Sequence, residues 1–485
     1  MMRRLKKPKY IVVIAIGVLF LSACKVTENY TMEEMNLPEE FVLPDSVSKN
    51  LDDAIIPWEE FFQDTVLLGL IDSAFNQNFS ILTANKEIDI NNQYYKQSKA
   101  AFLPKLNFNL LNIEREWSSK YTDNSEQEEW YDKNGTTPPE NLYISTTNYA
   151  STAALDWEVD IWGELKNQKR AALAYYRQSF QARKAIETEV VATIAEDYYR
   201  LLMLDEQLRV ARANYHYRDS TMSMIQLLYN SGEVTALAVQ QAHSQVLEAA
   251  ALVPDLEKQR SILENKLRML TGELPGNIER GMQLTSLDST YKQVKKLPLY
   301  LVKNRPDVRI ARYELTAANA LVGVSQAARY PNLTISLSGG VSSVLAKNWF
   351  NVPGALLGDF IGGITAPILN GRELKTAFEV AKLQRDEAEI NFQKNVYGAV
   401  MDIKNSMISI EKLKEQLQIA KAQQRVSKEA VRSSRMLFKS GYATYLEVIT
   451  AQGEALDTEL NLVTAKANLL TARIQLYRAL GGGWK

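Results

Sequence analysis

Two stretches of the chain, Gly163 to Gly232 and Gly371 to Gly441, contain no proline and place apolar residues at steps of three and four. In the second, Val396, Val400, Ile403, Met407, Ile410, Leu413, Leu417 and Ala420 form one stripe. In the first, the stripe is Val191, Ile194, Tyr198 and Leu201, continued by Leu204, Leu208, Ala211 and Tyr215. The spacing is close to a heptad seam and predicts long helices over about 163–230 and 371–438. At about 1.5 Å per residue, each is a rod of roughly 100 Å. No single globular core covers such a rod, so neighbouring helices must. Partner helices are expected over about 235–271 and 444–480, after "YNSGEVTAL" and "FKSGYATYL", whose glycines supply positive φ at the reversal.

Ahead of each rod the period changes to two. "ALDWEVDIW" sets Leu155, Trp157, Val159 and Ile161 against Asp156, Glu158 and Asp160. "LNFNL" and "NLTISLSGG" alternate in the same way, and "DFIGGITAPIL" does so more weakly, with an exit at Pro367. Strands are therefore expected over about 104–116, 146–162, 331–343 and 358–369. One apolar and one polar face suit a barrel with lipid outside and water inside. Four strands cannot close such a barrel, so a spanning role requires several copies of the chain. A soluble coiled coil capped by β-hairpins is the other reading of the same pattern.

These elements occur twice. Pro104 aligns with Pro331, "DIWGELKNQKRAALA" with "LNGRELKTAFEVAKL", Gly232 with Gly441, and "LRMLTG" with "LYRALG". A repeat carrying both strands and helices points to a duplicated domain, not a solenoid. The chain thus divides into a leader (1–23), a polar, proline-bearing tether (24–56), a first repeat (57–272), a linker (273–303) and a second repeat (304–485).

The leader changes the picture most. A basic start with Arg3, Arg4, Lys6, Lys7 and Lys9 precedes the apolar "IVVIAIGVLFL", then "LSAC" ending at Cys24, the only cysteine. This is the pattern of a bacterial lipobox, with cleavage before Cys24 and a diacylglycerol on its thiol; an ordinary signal peptide with an incidental cysteine is the alternative. Lys25 in the next position fits sorting to the outer membrane. Later runs fall short of the apolar length of a membrane helix, so any span by the mature chain uses strands. Lys and Arg (56) nearly balance Asp and Glu (57), which removes any overall basic field for nucleic acid. His216 and His243 are the only histidines and lie far apart, so no zinc site or catalytic triad can be built on them. The glycine-rich turns lack the Lys-Ser/Thr of a phosphate loop, and the methionines are scattered along helical seams. No enzyme, metal site or cofactor is expected beyond the lipid on Cys24.

"NRPDVRIARYELTAANALVGVSQAARYPNLTIS" (304–336), "PWEEFFQDTVLLGLIDSAFNQN" (57–78) and the paired Ser-Gly turns resemble the outer-membrane efflux protein family (TolC-like). The likeness is to its lipoprotein branch, which serves resistance-nodulation-division pumps, and it extends over the mature chain. It implies a mainly α fold with a small β portion: a homotrimer with a long α-helical barrel and a 12-stranded β-barrel, four strands per subunit. It implies a passive outer-membrane channel, lipid-anchored and extending into the periplasm. Its partners would be a periplasmic adaptor and an inner-membrane pump. On this resemblance Ser231, Gly232, Ser440 and Gly441 are the adaptor-docking tips, and Glu447 and Thr450 form the periplasmic gate. Ala238 and Gln241 stand at the gate positions in the first copy. The Tyr–Asp and Arg–Asp latch of some relatives has no counterpart, since Phe438, Ala443 and Ala238 occupy its places. A type I secretion channel and a non-channel spacer lipoprotein remain as alternatives, and the cargo is not legible.

Overall fold

A computed structural model describes residues 40–42, 57–118, 133–135, 144–284, 296–298, 302 and 304–482. Cys24, the leader and most of the tether lie outside them. The described elements, in chain order, are β1 (Glu40–Val42), α1 (Trp58–Phe61), α2 (Thr65–Gln77), α3 (Phe79–Ala100), β2 (Lys105–Ser118), β3 (Ile144–Val159), α4 (Glu164–Asn230), α5 (Ala236–Leu270) and β4 (Lys296–Pro298). The second half continues with α6 (Pro306–Ala327), β5 (Asn332–Ser343), β6 (Leu356–Thr365), α7 (Glu373–Lys439) and α8 (Tyr445–Ala479).

The duplication is visible in element lengths. α4 and α7 are each 67 residues long, α5 and α8 each 35, and α3 and α6 each 22. Glycines with positive φ mark matching places: 163 with 371, 232 with 441, and 272 with 481.

Two compact units are distinguished. The unit holding residues 93–173 and 316–386 contains an antiparallel sheet in the order β2-β3-β5-β6. The second strand begins at Ile144 and ends at Val159, inside the expected 162, because Asp160 turns to cap α4: its carboxylate accepts from the backbone N–H groups of Leu165 (3.1 Å) and Lys166 (2.9 Å). The fourth strand runs over Leu356–Thr365 and not to 369. Pro367 lacks the N–H that a continuing ladder needs.

The other unit holds the cores of the long helices. In one, the α4 stripe from Val191 through Ile194, Tyr198, Leu201, Leu204 and Leu208 to Ala211 is buried against α1, α2, α5 and the C-terminal part of α8. In the other, Val396, Ile403, Ile410 and Leu417 of α7 pack with Val308 and Ala311 of α6 and Leu469, Ala472 and Leu476 of α8. α5 continues through Pro254, which removes one helical hydrogen bond; Val253 and Leu256 on either side pack into the first core and carry the helix past it. A short pairing of β1 with β4, Phe41 opposite Leu297, ties a piece of the expected tether to the expected linker.

Candidate functional site

The register of the sheet sorts its side chains into two faces. One cross-strand row reads Leu106–Leu155–Leu337–Phe360; along the same face lie the pairs Trp157–Ile335 and Val159–Leu333–Ile364. Leu106, Phe108, Leu337, Phe360 and Ile364 are between 51% and 75% exposed, so no described residue covers this face. The opposite face reads Lys105–Asp156–Ser336–Ile361 and Asn107–Ala154–Ser338–Asp359, polar but for Ala154 and Ile361. It is bonded across strands, Ser336 Oγ donating to Asp156 and Ser342 Oγ to Asn148, each at 2.7 Å.

A bulge in β2 keeps this sorting intact. The register of β2 on β3 shifts by one between Asn109 and Asn112, so the apolar phase passes from the even positions 106 and 108 to Ile113. The adjacent Leu110 and Leu111, both exposed, mark the switch in the sequence. The freed carbonyl of Leu110 accepts from the Ser151 hydroxyl. Gly340 faces the Ser151 backbone so closely that a Cβ would overlap it.

Below the sheet, Glu158, Asp160 and Glu164 crowd together where β3 passes into α4. Burial first, then the charges of Glu158 and Asp160, push the Glu164 carboxyl above its ordinary value.

The two expected tips are built alike. Gly232 N–H donates to Tyr229 O (2.9 Å) and Glu233 N–H to Leu228 O (2.9 Å). At the second, Gly441 N–H donates to Phe438 O (3.1 Å) and Tyr442 N–H to Leu437 O (2.9 Å). Both are Schellman closures with glycine in the left-handed region, φ 81° and 76°. Ser231 and Ser440 turn inward to the helix ends, donating to Leu228 O (3.0 Å) and Met436 O (3.1 Å). The tips are exposed, and a Cβ at either glycine would meet open space. The fold therefore requires glycine for its φ, while the surface there is free for a partner.

Glu447 and Thr450 lie three residues apart near the start of α8, on one exposed face. The Glu447 carboxylate is engaged with its own helix: Thr444 N–H donates to Oε2 at 2.6 Å, and the Thr444 hydroxyl contacts the same oxygen. These bonds from the Thr444 side chain and backbone hold Glu447 below the usual carboxylate range. In the first copy, Ala238 is buried with Ile225 and Ala242, and Gln241 accepts a hydrogen bond from Tyr445 OH (2.6 Å). Gln452 Nε2 donates to Thr221 Oγ1 at 2.9 Å. These contacts join α8 to α5 and α4, and the repeat pattern gave no sign of them.

Sequence reasoning also missed two buried polar centres. Asp64 caps α2, accepting from Val66 N–H (2.9 Å), and takes a hydrogen bond from Tyr198 OH (2.8 Å); that hydroxyl in turn accepts from Gly281 N–H (3.0 Å). Burial pushes the Tyr198 phenol far up. Arg305 donates to Ala479 O (2.7 Å), Asp307 (2.7 Å) and Asp402 (3.1 Å). Burial opposes its charge, and the two carboxylates outweigh burial, so its pKa is raised. Arg305 and Asp307 belong to the "RPDVR" run, the one local signal that could have singled them out.

A sequence profile described as "outer membrane efflux protein" matches residues 70–273 and 298–482. The chain is 25% identical over 482 residues to the probable outer membrane lipoprotein SilC of Salmonella typhimurium, covering 97% of this chain and 98% of that one. It is 24% identical over 473 residues to the cation efflux system protein CusC of Escherichia coli K12, covering 96% and 97%. Its fold superposes on the Campylobacter jejuni CmeC outer membrane channel with a TM-score of 0.82 at 18% identity, covering 94% and 95%.

Proposed function

Because the chain belongs to the outer membrane efflux protein family, we propose that three copies of it form the passive outer-membrane conduit of a tripartite efflux system. The observation that carries this reading is the open sheet. Its four strands, 14, 16, 12 and 10 residues long, all reach the length of about 9–11 residues that a tilted strand needs to cross a bilayer. Among the described residues one face is apolar and uncovered, and β2 and β6 are both edges without a partner strand. Lipid tolerates no open edge, so β6 of one copy must meet β2 of the next. Three copies give twelve strands, an even-numbered barrel with the Asp156–Ser338 face toward water.

The helices support the same assembly. Beside its buried seam, α7 carries a second apolar stripe of Ile390, Tyr397, Met401, Ile408, Ile419 and Val426, all exposed within one chain. Their spacing follows 3.6 residues per turn, as a face for a neighbouring helix should. Rods of about 100 Å suit a tunnel through the periplasm. The tips at Ser231–Gly232 and Ser440–Gly441 are then the ring on which a periplasmic adaptor docks, and Glu447 with Thr450 lines the mouth. A lipid on Cys24 adds the anchor, as the name of the SilC relative supports. The inner-membrane pump supplies energy and chooses the cargo; the CusC relative is named for cation efflux.

The test is purification of the full-length protein from outer membranes. An oligomer that dissociates on boiling and conducts ions in a planar bilayer is expected, together with drug or metal sensitivity on deletion. A folded monomer that passes no current would overturn the reading.

A further inference from the structure

The loop between β5 and β6 is apolar and exposed. Residues 344–355 carry a single charge, Lys347, and present Val344, Leu345, Phe350 and Val352 at 50% to 69% exposure. The loop is not loose. Its backbone closes on itself through Asn348 N–H to Leu345 O (3.0 Å), Asn351 N–H to Asn348 O (3.0 Å), Ala355 N–H to Asn351 O (3.0 Å) and Ser342 N–H to Ala355 O (2.8 Å). A compact, self-bonded turn that points its apolar side chains outward is built to meet an apolar partner.

The direction of the loop identifies that partner. Tyr149 lies on the apolar face of β3, in phase with Ala153, Leu155 and Trp157. Trp349 packs on the Tyr149 ring, centroids 6.0 Å apart, and Phe350 lies beside Trp349 at 4.9 Å. The loop therefore folds toward the apolar side of the sheet and away from the polar face. Val341 and Leu356 at its base are on the same apolar face, so the uncovered surface continues from strand toward the loop, with Ser343 opposite Tyr149 as the polar residue at the junction. Tyr and Trp set at the edge of an apolar strand band are the residues that settle at a bilayer's headgroup boundary.

We propose that the β5–β6 loop is a membrane foot: it lies against the outer leaflet, with Trp349 and Tyr149 at the headgroup level and Phe350, Val352 and Val344 in contact with lipid. It does not fold over the barrel mouth as a lid. This rests on the membrane-spanning reading of the sheet above.

The test places an environment-sensitive fluorophore on a cysteine introduced by Phe350→Cys in the full-length protein. The oligomer is reconstituted into phosphatidylcholine vesicles, and the unlabelled-site background is read from the parent chain. Phe360→Cys on the apolar face and Asp359→Cys on the polar face are the references. The label at 350 should be quenched by doxyl-labelled lipids as the label at 360 is, and should lose most of the iodide quenching seen at 359. A label at 350 open to iodide and untouched by doxyl lipid, with 360 in lipid, overturns the foot and leaves the barrel standing. Iodide access at both 350 and 360 overturns the spanning reading and the foot with it.

Discussion

Leu337 and Ser338 are neighbours in β5 that face opposite ways, and one charge placed on each in turn tests the whole assignment of faces. Leu337 stands mid-strand in the Leu106–Leu155–Leu337–Phe360 row, 51% exposed, with only apolar side chains beside it. A lysine there would sit near the bilayer midplane, at a cost of about 2–4 kcal/mol per copy. That is about 30- to 700-fold in the folding equilibrium of each subunit, and about 6–12 kcal/mol for a trimer that folds as one unit. Ser338 lies in the Asn107–Ala154–Ser338–Asp359 row. A lysine there gains a carboxylate directly across the strand pair and stays within about 0.5 kcal/mol of the parent. The measurement is a urea titration of each variant in phospholipid vesicles, read as the heat-sensitive oligomer band on a gel. Leu337→Lys should lose most of its oligomer at urea concentrations that Ser338→Lys survives, while Ser338→Lys shifts conductance away from cations. Equal stability of the two variants, or the reverse order, would refute the placement of lipid on the Leu337 face.

Arg305→Ala should lower thermal stability by about 2–3 kcal/mol, below the full effect of breaking a buried ion pair because Asp402 is largely exposed; calorimetry of the purified oligomer measures it. Tyr198→Phe strips a hydrogen bond from buried Asp64 and should lower the urea midpoint by an amount equivalent to about 1–3 kcal/mol. Gly232→Trp strains one exposed turn (φ 81°) but meets open space, so it should abolish pump-dependent resistance while the oligomer band persists; normal resistance would remove the docking role. For Glu447, whose pKa is lowered in the fold, stabilisation of the second tip is present above the ordinary carboxylate pKa and fades as pH falls through the lowered one. Limited proteolysis of that tip should therefore accelerate in acid in the parent, and Glu447→Gln should show the accelerated rate at neutral pH.

Much of the fold was legible because period dictates it. A 3.6-residue stripe sustained over a rod leaves helix as the only outcome, and the α4 and α7 seams are buried where the spacing places them. Strand ends were less legible, because they depend on a single residue's competing bond. Asp160 reads as one more polar position in "EVDIW", yet its carboxylate caps α4 and ends the strand. The doubled leucine at 110–111 looks like a failure of alternation. It is the bulge that preserves alternation in space, and only the partner strand's register shows this. The β1–β4 pairing was hidden for a related reason: three-residue strands carry no period, and their pairing joins segments more than 250 residues apart.

The sites divide along the same line between position and orientation. The tips were readable because a glycine after a long helix has one backbone role, which both copies fulfil with the same Schellman bonds. Glu447 was readable as a residue in the first turn of α8, but the direction of its side chain was not. Its spacing from Thr444, a hydroxyl followed three residues later by a carboxylate, is also the capping-box spacing, and the cap is what the side chain makes. The two roles are not exclusive. Only Oε2 is spent on the cap, and an acid bonded this way stays ionised where a free one facing its copies would take up protons. Water screens the repulsion between two such exposed charges, and the bonds to Thr444 fix where each one sits. A ring of capped carboxylates would thus keep its charge and its geometry together, acting as a fixed cation-selective collar in place of a spring that forces the mouth apart.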